Sequence, residues 1–482
     1  MSDMYHQVAD TFGGTAGVVS NFRGPYSMGP PQADLAVHTP VIDRFGGREL
    51  GRVVTIGLVM VMALLRVLPR KLGQIRQRWS VLAAGAVVDG FETLGPTFVK
   101  LGQLVASSPG LFPTPLADAC QRCLDEVPPF PSDTVHRLIR EDLGRSPAQL
   151  FRSFDDRPLS AASIAQIHAC VLPDGRDAVV KLQRPDIARR MNTDLRILHK
   201  LALVLARTKA GSRFNAPAII EDLHQVTNQE LNFALEAHRQ ATFRDHIGAF
   251  GDNRWVTAPE VYWDYCGPHM ICMERMVGIP MDAFDTIRER DIDAELVLRR
   301  GCKAWLEAVL VHGPFHGDMH AGNMWLLDDG RCSFLDFGIM GELDSTWKQF
   351  FSDLLFTILF DRDYTRIARA FRRVEIFPAA MDISDEMVGQ QLKMVLDPLL
   401  DQSVSGLNLG ELLKQAFDIA ESLGATAPRE MVLIAKQLLY LERYTKALVP
   451  DYLMVKDPFL VRNIFPAAAV AKAADLGIQL PQ

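Results

Sequence analysis

Residues 312–341 constrain the fold more than any other stretch of this 482-residue chain. Two polar clusters, at 316–323 (HGDMHAGN) and 336–338 (DFG), flank an apolar segment, the turn sequence Asp-Asp-Gly at 328–330 and a short β-type run at 332–335. A turn of this composition between apolar runs predicts a β-hairpin. Because a hairpin folds the chain back on itself, we expect the two polar clusters to meet at one end of it.

The two clusters contain the residue types that phosphoryl transfer requires. One carboxylate orients or deprotonates the acceptor, while an amide and a second carboxylate hold magnesium against the phosphates. Asp318 and Asn323, followed by Asp336, have the spacing of the corresponding protein-kinase residues, with His-Gly-Asp where kinases carry His-Arg-Asp. Alternatively, His316, Asp318 and His320 could form a hydrogen-bonded loop network, or they could bind zinc or iron, which would leave Asn323 and Asp336 without a role.

Composition restricts the classes of protein to which the chain can belong. Its length suggests two or three domains, or one two-lobed domain with an extension. A content of 48% hydrophobic and 23% charged residues is typical of globular proteins, and the net charge of -7 argues against general nucleic-acid binding. Seven cysteines suggest a reducing compartment. The lone Cys-x-x-Cys pair, Cys120 and Cys123, is interpreted as two ordinary helix residues.

The most apolar window lies at 53–65 and contains no charged residue. It is shorter than the roughly 20 residues that cross a bilayer. Two interpretations stay open: the helix lies on an anionic membrane surface, or it packs against the rest of the protein. The membrane interpretation depends on the basic residues that follow the window, which are Arg66, Arg70, Lys71, Arg76 and Arg78.

A lysine interrupts a predicted apolar strand at 177–183. Lys181 shares one face of this strand with Val179, and a buried lysine is costly unless it is paired. It therefore predicts an anionic partner, which could be a carboxylate, a phosphate or both. We expect a long helix at 218–247 to supply the carboxylate from Glu236, with Glu230 as the alternative.

The sequence also predicts helices, strands and a hinge outside these motifs. A helix is predicted at 50–89 with a break near Pro69, and a core-facing apolar pattern at 91–105 contains Lys100 and Gln103 on another face. Strands are predicted at 255–263 and 269–273. Segment 274–278 follows as a hinge, where Glu274 and Met276 would line a base pocket. A helix at 293–312 leads into the polar hairpin.

The ordered motifs resemble the UbiB/AarF family of atypical kinases over about residues 85–345. The resemblance implies an α+β, protein-kinase-like two-lobed fold, with an N-terminal helical extension that carries a Lys-x-Gly-Gln helix and a mainly helical C-terminal lobe. The expected divisions are a flexible arm at 1–45, the extension at 46–150, the N-lobe at 151–275, the C-lobe at 276–450 and a tail at 451–482. The matching motifs are Lys100-Leu-Gly-Gln103, AASIAQIH at 161–168, Val180-Lys181, the segment 230–236, and the two polar clusters.

The resemblance also implies roles for individual residues. Lys181 would contact the α- and β-phosphates of ATP and pair with Glu236, and Asp318 would be the catalytic acid/base. Asn323 and Asp336 would hold Mg²⁺. The loop that covers the phosphates would comprise Ala161, Ala162, Ser163, Ile164 and Ala165, and the regulatory residues over the site would be Lys100, Gln103 and Glu230.

Two features depart from the family pattern. The family commonly has Glu-x-Asp where this chain has Glu230-Leu-Asn232. Many quinone-linked members also have C-terminal membrane spans, and no segment here is apolar for long enough. The first departure weakens a charged role at position 232, and the second weakens the link to a membrane.

The resemblance leads us to expect a Mg²⁺-dependent, ATP-binding kinase or ATPase that acts in lipid or isoprenoid-quinone metabolism. Its partner would be a lipid or an isoprenoid-quinone precursor, and we expect it in the cytoplasm, peripheral on the inner face of the cell membrane. Two alternatives stay open. One is a small-molecule phosphotransferase of the aminoglycoside- or choline-kinase type, and the other is a non-catalytic pseudokinase scaffold that binds ATP.

Overall fold

The structure is a computed structural model that forms two compact units. It describes residues 21–67, 79–106, 112–123, 128–208, 215–374, 384–400, 429–452 and 454–480. The first unit combines the chain up to Leu235 with Tyr262–Arg275, and the second combines Glu236–Val261 with the chain from Met276 onward.

The first unit is built on a five-stranded antiparallel sheet in the order β1-β3-β4-β6, with β2 paired to β3. Its long central strand β4 occupies the range predicted for the lysine-containing strand, which is therefore confirmed. The strands are β1 (Ser153–Phe154), β2 (Ser160–Ala161), β3 (Ala165–Val171), β4 (Asp177–Gln183) and β6 (Met270–Glu274).

Helices surround this sheet in the first unit. The predicted helix at 50–89 is present as α2 and the start of α3, and Pro69 lies outside the described residues. The helices are α1 (Gln32–Leu35), α2 (Gly47–Leu65), α3 (Trp79–Leu94), α4 (Pro96–Ala106), α5 (Thr114–Cys120), α6 (Ser132–Leu143), α7 (Pro147–Leu150), α8 (Ile187–Leu205), α9 (Ala216–Glu230) and the first turn of α10 (Phe233–Ala249).

The single long helix predicted at 218–247 is wrong, because the chain forms α9 and α10 with a break at 231–232. Asn232 starts the second helix, and its Oδ1 accepts a hydrogen bond from the backbone N–H of Leu235 at 2.9 Å. Asparagine is among the preferred residues at a helix N-cap, since its side chain satisfies a backbone donor that the helix leaves unpaired. Glu230 and Glu236 therefore belong to different helices.

The Lys-x-Gly-Gln helix α4 packs closely against the segment that contains Cys123. Gly95, with φ +100°, separates α3 from α4, and Pro96 occupies the first helical position, where its missing N–H is not needed. A Cβ atom on Gly102 would lie 2.4 Å from Cys123 Sγ. Gln103 Nε2 also donates to Cys123 O at 3.3 Å. Cys120 ends α5 and Cys123 follows it, and both are buried free thiols.

Residues 21–45 of the predicted flexible arm pack on the first unit. Tyr26 is 2% exposed, and its hydroxyl donates to Asp34 Oδ2 at 2.8 Å. Gly24 N donates to Asp264 O at 3.0 Å. A buried aromatic ring and backbone hydrogen bonds explain why this part of the arm differs from a loose segment. Residues 1–20 lie outside the described part of the chain.

Helix α2 keeps a wide apolar face exposed in the described part of the chain. Its most exposed large residues, between 53% and 60%, are Val54, Leu58, Val61, Met62 and Leu65, together with Leu50 at 61%. The other face of α2 packs within the first unit, where Ala63 shares a buried cluster with Ala86 of α3, so both interpretations stay predictions. Arg70, Lys71, Arg76 and Arg78 lie outside the described residues. Among those that are described, no helix combines the length and apolarity that crossing a bilayer requires.

The second unit contains a four-stranded sheet in the order β5-β10-β9-β7 and a separate β8-β11 pair. Strand β5 runs parallel to β10, and the other pairs are antiparallel. The predicted strand at 255–263 is shorter than expected, because the strand itself comprises only Val256 and Thr257. The strands are β5 (Val256–Thr257), β7 (Gly278–Pro280), β8 (Phe315–His316), β9 (Met324–Leu327), β10 (Cys332–Phe334) and β11 (Met340–Gly341).

The helices of this unit enclose an apolar core centred on Trp305, Phe315, Phe334 and Phe337, all fully buried. The predicted helix at 293–312 is confirmed, since α12 continues into a π-helical turn at Ala308–His312. The helices are the remainder of α10, α11 (Phe284–Glu289), α12 (Ala294–Glu307), α13 (Ser345–Phe356), α14 (Tyr364–Arg373), α15 (Asp385–Leu400), α16 (Arg429–Leu448) and α17 (Pro466–Leu476).

The contact between α4 and Cys123 predicts that Gly102→Ala destabilises the protein. We expect a loss of about 1–3 kcal/mol in the free energy of unfolding, because the added methyl group overpacks the interface. Gly85→Ala in helix α3 is the matched control, since nothing lies within 4 Å of its Cβ position. Urea unfolding of both variants makes the comparison. Equal stability of the two would contradict the close packing.

Candidate functional site

The hairpin brings the two polar clusters of the second unit together, as the sequence predicts. Strands β9 and β10 pair with Met324 opposite Phe334, and Leu335 N donates to Asn323 O at 2.8 Å. Asn323 Nδ2 donates to Asp318 O at 3.0 Å. Asn323 therefore links the Asp318 segment to the end of β10, where Asp336 follows.

His316 joins the same two segments through both nitrogens of its ring. Nε2 lies 2.9 Å from the carbonyl oxygens of Leu335 and Asp336, and Nδ1 accepts from the backbone N–H of Asp318 at 3.2 Å. These partners require a neutral imidazole with its proton on Nε2. Complete burial lowers the pKa of His316, although the nearby carbonyl groups and carboxylates oppose the shift.

Asp336 adopts an uncommon backbone conformation. Its φ is +57°, in the left-handed region that non-glycine residues seldom occupy. Gly338 N donates to its Oδ1 at 3.2 Å. The next residue, Phe337, is fully buried, and its ring packs 5.2 Å from His316 and 5.3 Å from Phe243. The buried ring fixes the backbone that directs the Asp336 carboxylate.

Asn323 and Asp336 provide donor atoms that suit Mg²⁺. Magnesium prefers oxygen ligands and is typically held by one or two carboxylates together with substrate phosphates. Asn323 Nδ2 donates to Asp318 O, so Oδ1 is the atom of this amide that can act as a metal ligand. Two oxygen donors on linked segments fit this kind of ion, with the remaining positions left to water and phosphate.

The zinc or iron alternative receives no support from His316, whose nitrogens both contact backbone groups. His320 Nδ1 likewise accepts from Gly322 N at 3.0 Å. Among the residues that the structure describes, no group of three or more His, Cys, Asp and Glu side chains is arranged to hold a metal ion.

Helix α10, which carries Glu236, supports the Asp336-Phe337-Gly338 segment within the second unit. Arg239 Nη1 donates to Gly338 O at 3.2 Å, and Phe243 packs against Phe337. Glu236 is 2% exposed on the same helix. A buried carboxylate requires a compensating partner, and its predicted pairing with Lys181 stays a prediction.

Lys181 occupies the centre of the sheet in the first unit, where it is 6% exposed. It lies opposite Ile167 in β3 and Ile271 in β6, and its Nζ is 5.5 Å from the centroid of the Phe233 ring. The apolar setting that the sequence predicts for this lysine is therefore present. Its expected contact with phosphates stays a prediction.

Glu230, the alternative partner of Lys181, instead forms an ion pair with Lys100 of the Lys-x-Gly-Gln helix. Both side chains are largely buried, with exposures of 16% for Lys100 and 10% for Glu230. The partner that the structure shows for Glu230 is therefore Lys100, and its regulatory role stays a prediction.

Asn232 has a role that the aspartate of the family pattern could not fill. Its Nδ2 donates to the carbonyl oxygens of Asp34 and Ala36 at 2.9 and 3.2 Å, while Oδ1 caps α10. An ionised aspartate has no hydrogen to donate. The asparagine that replaces the family's aspartate at position 232 thus holds residues 34–36 against the break between α9 and α10.

The Ala-rich loop of the first unit is a closed turn. Strands β2 and β3 pair with Ala161 opposite Gln166, and Ala162 N donates to Ala165 O at 2.8 Å. Arg184 supports the turn, since its backbone N–H donates to Ile164 O at 2.8 Å and its Nε donates to Ala162 O at 2.9 Å. Ser163 is 5% exposed. The loop is held on both sides, and its phosphate-binding role stays a prediction.

The predicted hinge coincides with the point where the chain enters the second unit. Glu274 ends β6 opposite Ala178, Arg275 N donates to Asp177 O at 3.3 Å, and Met276 begins the other unit. The assignment of Glu274 and Met276 to a base pocket stays a prediction.

The sequence analysis missed two residues of helix α16 that contact the Asp318 segment. Lys436 Nζ lies 2.8 Å from Asp318 Oδ1, and Gln437 contacts the backbone on both sides of Asp318. Gln437 is fully buried, and apolar residues stand on both sides of the Lys436-Gln437 pair in the sequence. A glutamine at a core position was the available signal, because buried amides require hydrogen-bond partners.

The neutral state of His316 predicts a dependence of stability on pH. The ordinary pKa of histidine is about 6.5, so below this pH the unfolded chain takes up a proton that folded His316 resists. The free energy of unfolding should therefore fall as pH decreases below that value. His316→Gln should be less stable at neutral pH but show a shallower decline.

Urea unfolding between about pH 7.5 and pH 5, on either side of the ordinary pKa, measures both curves. Other buried histidines contribute equally to both proteins, so the difference in slope isolates His316. Parallel curves would show that its protonation is not linked to folding.

Comparison with known proteins gives matches along most of the chain. Residues 122–371 match the family described as the ABC1 atypical kinase-like domain, and residues 392–452 match the UbiB helical domain. An uncharacterized protein of Mycobacterium tuberculosis is 37% identical over 383 residues, which cover 79% of this chain and 78% of that protein.

Two further relatives carry kinase names. An uncharacterized aarF domain-containing protein kinase of Arabidopsis thaliana, chloroplastic, is 30% identical over 394 residues, covering 76% of this chain and 72% of that protein. A probable protein kinase UbiB of Erwinia tasmaniensis is 30% identical over 377 residues, which cover 77% of this chain and 68% of that protein. The family matches and the two-lobed, kinase-like fold agree with the predicted resemblance, and the chain belongs to the ABC1/UbiB family of atypical kinase-like proteins.

Proposed function

We propose that the protein binds Mg-ATP and transfers or hydrolyses its γ-phosphoryl group, as an atypical kinase or ATPase. The observation that carries the proposal is the linkage of Asp318, Asn323 and Asp336 through His316 and the hairpin. Phosphoryl transfer depends almost entirely on positioning and on electrostatic stabilisation. Two carboxylates and an amide on linked backbone segments are suited to both tasks.

Each residue has a defined task in this proposal. Asp318 orients the acceptor hydroxyl or water and accepts its proton, while Asn323 and Asp336 hold Mg²⁺, which offsets the charge of the phosphates. In the first unit, Lys181 contacts the α- and β-phosphates. Its burial among apolar residues supports this task, because a lysine in that setting favours an anionic ligand.

The Ala-rich turn distinguishes this chain from kinases with Gly-rich loops. Each Cβ removes backbone conformations that glycine allows, and Arg184 holds the turn by two hydrogen bonds. We expect a less adaptable phosphate loop to change nucleotide preference or lower the rate of transfer. The proposal therefore includes ATP hydrolysis without a protein acceptor.

The proposed acceptor or activator is a lipid or an isoprenoid-quinone precursor at a membrane surface. The relatives named probable protein kinase UbiB support the quinone pathway by name. The exposed apolar face of α2 supports contact with a membrane, since amphipathic helices bury such faces at the boundary of headgroups and acyl chains. Arg48 and Arg66 at its two ends suit anionic headgroups.

Asp336→Asn should lower ADP release from Mg-ATP by about 100-fold or more, because removal of a charged ligand weakens the stabilisation of the transferred group. Lys181→Ala should have a similar effect. Asp328→Asn in the turn of the same hairpin is the matched control and should retain wild-type turnover. Unchanged ADP release in Asp336→Asn and Lys181→Ala would overturn the assigned roles. Stabilisation by ATP without ADP release would favour the scaffold alternative.

Leu58→Glu/Val61→Glu should reduce binding to anionic liposomes by at least about tenfold, because both side chains lose their burial in the bilayer and gain repulsive charge. Met387→Glu/Val470→Glu is the control, since it adds the same charges at sites that are 56% and 62% exposed. Sedimentation at low and high salt measures binding. Equal loss in both variants would show that charge alone, and not α2, controls attachment.

A further inference from the structure

Helix α16, from the region that matches the UbiB helical domain, contacts the Asp318 segment at several points in the second unit. Lys436 Nζ lies 2.8 Å from Asp318 Oδ1. This contact joins residues that are 118 apart in sequence. It thereby links the part of the chain that matches the kinase-like domain to the part that matches the helical domain.

The neighbouring residues of α16 fix the backbone around Asp318. Gln437 Oε1 accepts from Met319 N at 2.6 Å, and Gln437 Nε2 donates to Gly317 O at 2.7 Å. Tyr444, two turns further along the helix, donates from its hydroxyl to Met319 O at 3.0 Å. Gln437 and Tyr444 are 0% and 1% exposed. The peptide groups on both sides of Asp318 are therefore held by buried hydrogen bonds to a single helix.

Lys436 contacts one oxygen of the Asp318 carboxylate. The side chain of an aspartate can rotate even when its backbone is fixed. The ammonium group engages Oδ1, while Oδ2 lies 3.9 Å from His320 Nε2. We propose that Lys436 is a positioning residue that holds the Asp318 carboxylate in the orientation required to receive the acceptor's proton. This inference rests on the proposed phosphoryl transfer.

The position of the ion pair favours such a role over simple stabilisation. The side chains of Lys436 and Asp318 are 39% and 19% exposed, and ion pairs with this access to solvent contribute little to stability. Misplacement of a catalytic group by about 1 Å, in contrast, can lower a rate by about 100-fold. The principal effect of losing Lys436 should therefore be on turnover.

The same helix provides a matched control. Lys446 forms an ion pair with Glu442 at 2.9 Å, and these side chains are 37% and 12% exposed. Lys446→Met removes the same charge from the same helix and leaves the contacts of Asp318 intact. Any loss that both variants share reflects helix charge or stability, and only the excess in Lys436→Met reflects the contact with Asp318.

The test measures kcat and KM for Mg-ATP hydrolysis in wild type, Lys436→Met, Lys436→Arg and Lys446→Met, with melting temperatures as a check of folding. We expect Lys436→Met to lower kcat by about 10- to 100-fold with little change in KM, since positioning affects the reacting group and not nucleotide binding. Lys436→Arg should restore part of the loss, and Lys446→Met should match wild type. If the melting temperature of Lys436→Met is well below that of the wild type, the kcat of Lys436→Arg tests the positioning role instead.

A double substitution separates positioning from an independent effect of the lysine. In the Asp318→Asn background, Lys436→Met should cause less than about a twofold further loss, because residues that act as a unit are non-additive. Wild-type kcat in Lys436→Met, or a full additional loss in the Asp318→Asn background, would overturn this inference alone. Absence of Asp336-dependent turnover in the wild type would overturn the proposed function and this inference together.

Discussion

The neutral imidazole of His316 is the interaction on which the candidate site depends. It joins the backbone of Asp318 to the carbonyl groups that flank Asp336, so one buried ring aligns two segments that the hairpin brings close. A charged imidazole would carry a hydrogen on Nδ1 and could not accept from Asp318 N. Burial lowers the pKa of His316 and thereby maintains the form that this geometry requires. The position of Asp336 thus depends on the neutral form of His316, in which Nδ1 carries no proton.

Local sequence signals predicted the elements that carry the site. The turn at 328–330 and the apolar runs beside it determine the β9-β10 hairpin, since turn chemistry and alternation act over a few residues. The lysine strand was predictable for the same reason. The break within the helix predicted at 218–247 was not predictable in this way, because the apolar pattern of the sequence continues through position 232. The break depends on a cap by Asn232 and on its bonds to residues 34–36, which periodicity does not encode.

Local sequence signals could not predict contacts between residues that are far apart in the chain. Lys436 and Lys100 both appear in the sequence as ordinary helical lysines, and most lysines are solvated. Their partners, Asp318 and Glu230, lie 118 and 130 residues away. The resemblance to a family indicated Lys100, because that residue belongs to a motif. Nothing comparable indicated Lys436, and its neighbour Gln437 was the sole local sign that α16 approaches polar groups.

The two units share a physical arrangement. In each, a helix outside the kinase-like core directs a lysine to an acidic residue: Lys100 to Glu230 in the first unit, and Lys436 to Asp318 in the second. An ion pair as exposed as the second contributes at most about 1 kcal/mol to stability. Its energetic effect is small compared with the cost of a misdirected carboxylate in the proposed phosphoryl transfer. These helices therefore combine two tasks: their apolar residues pack into the cores of the two units, and each directs one lysine to an acidic side chain.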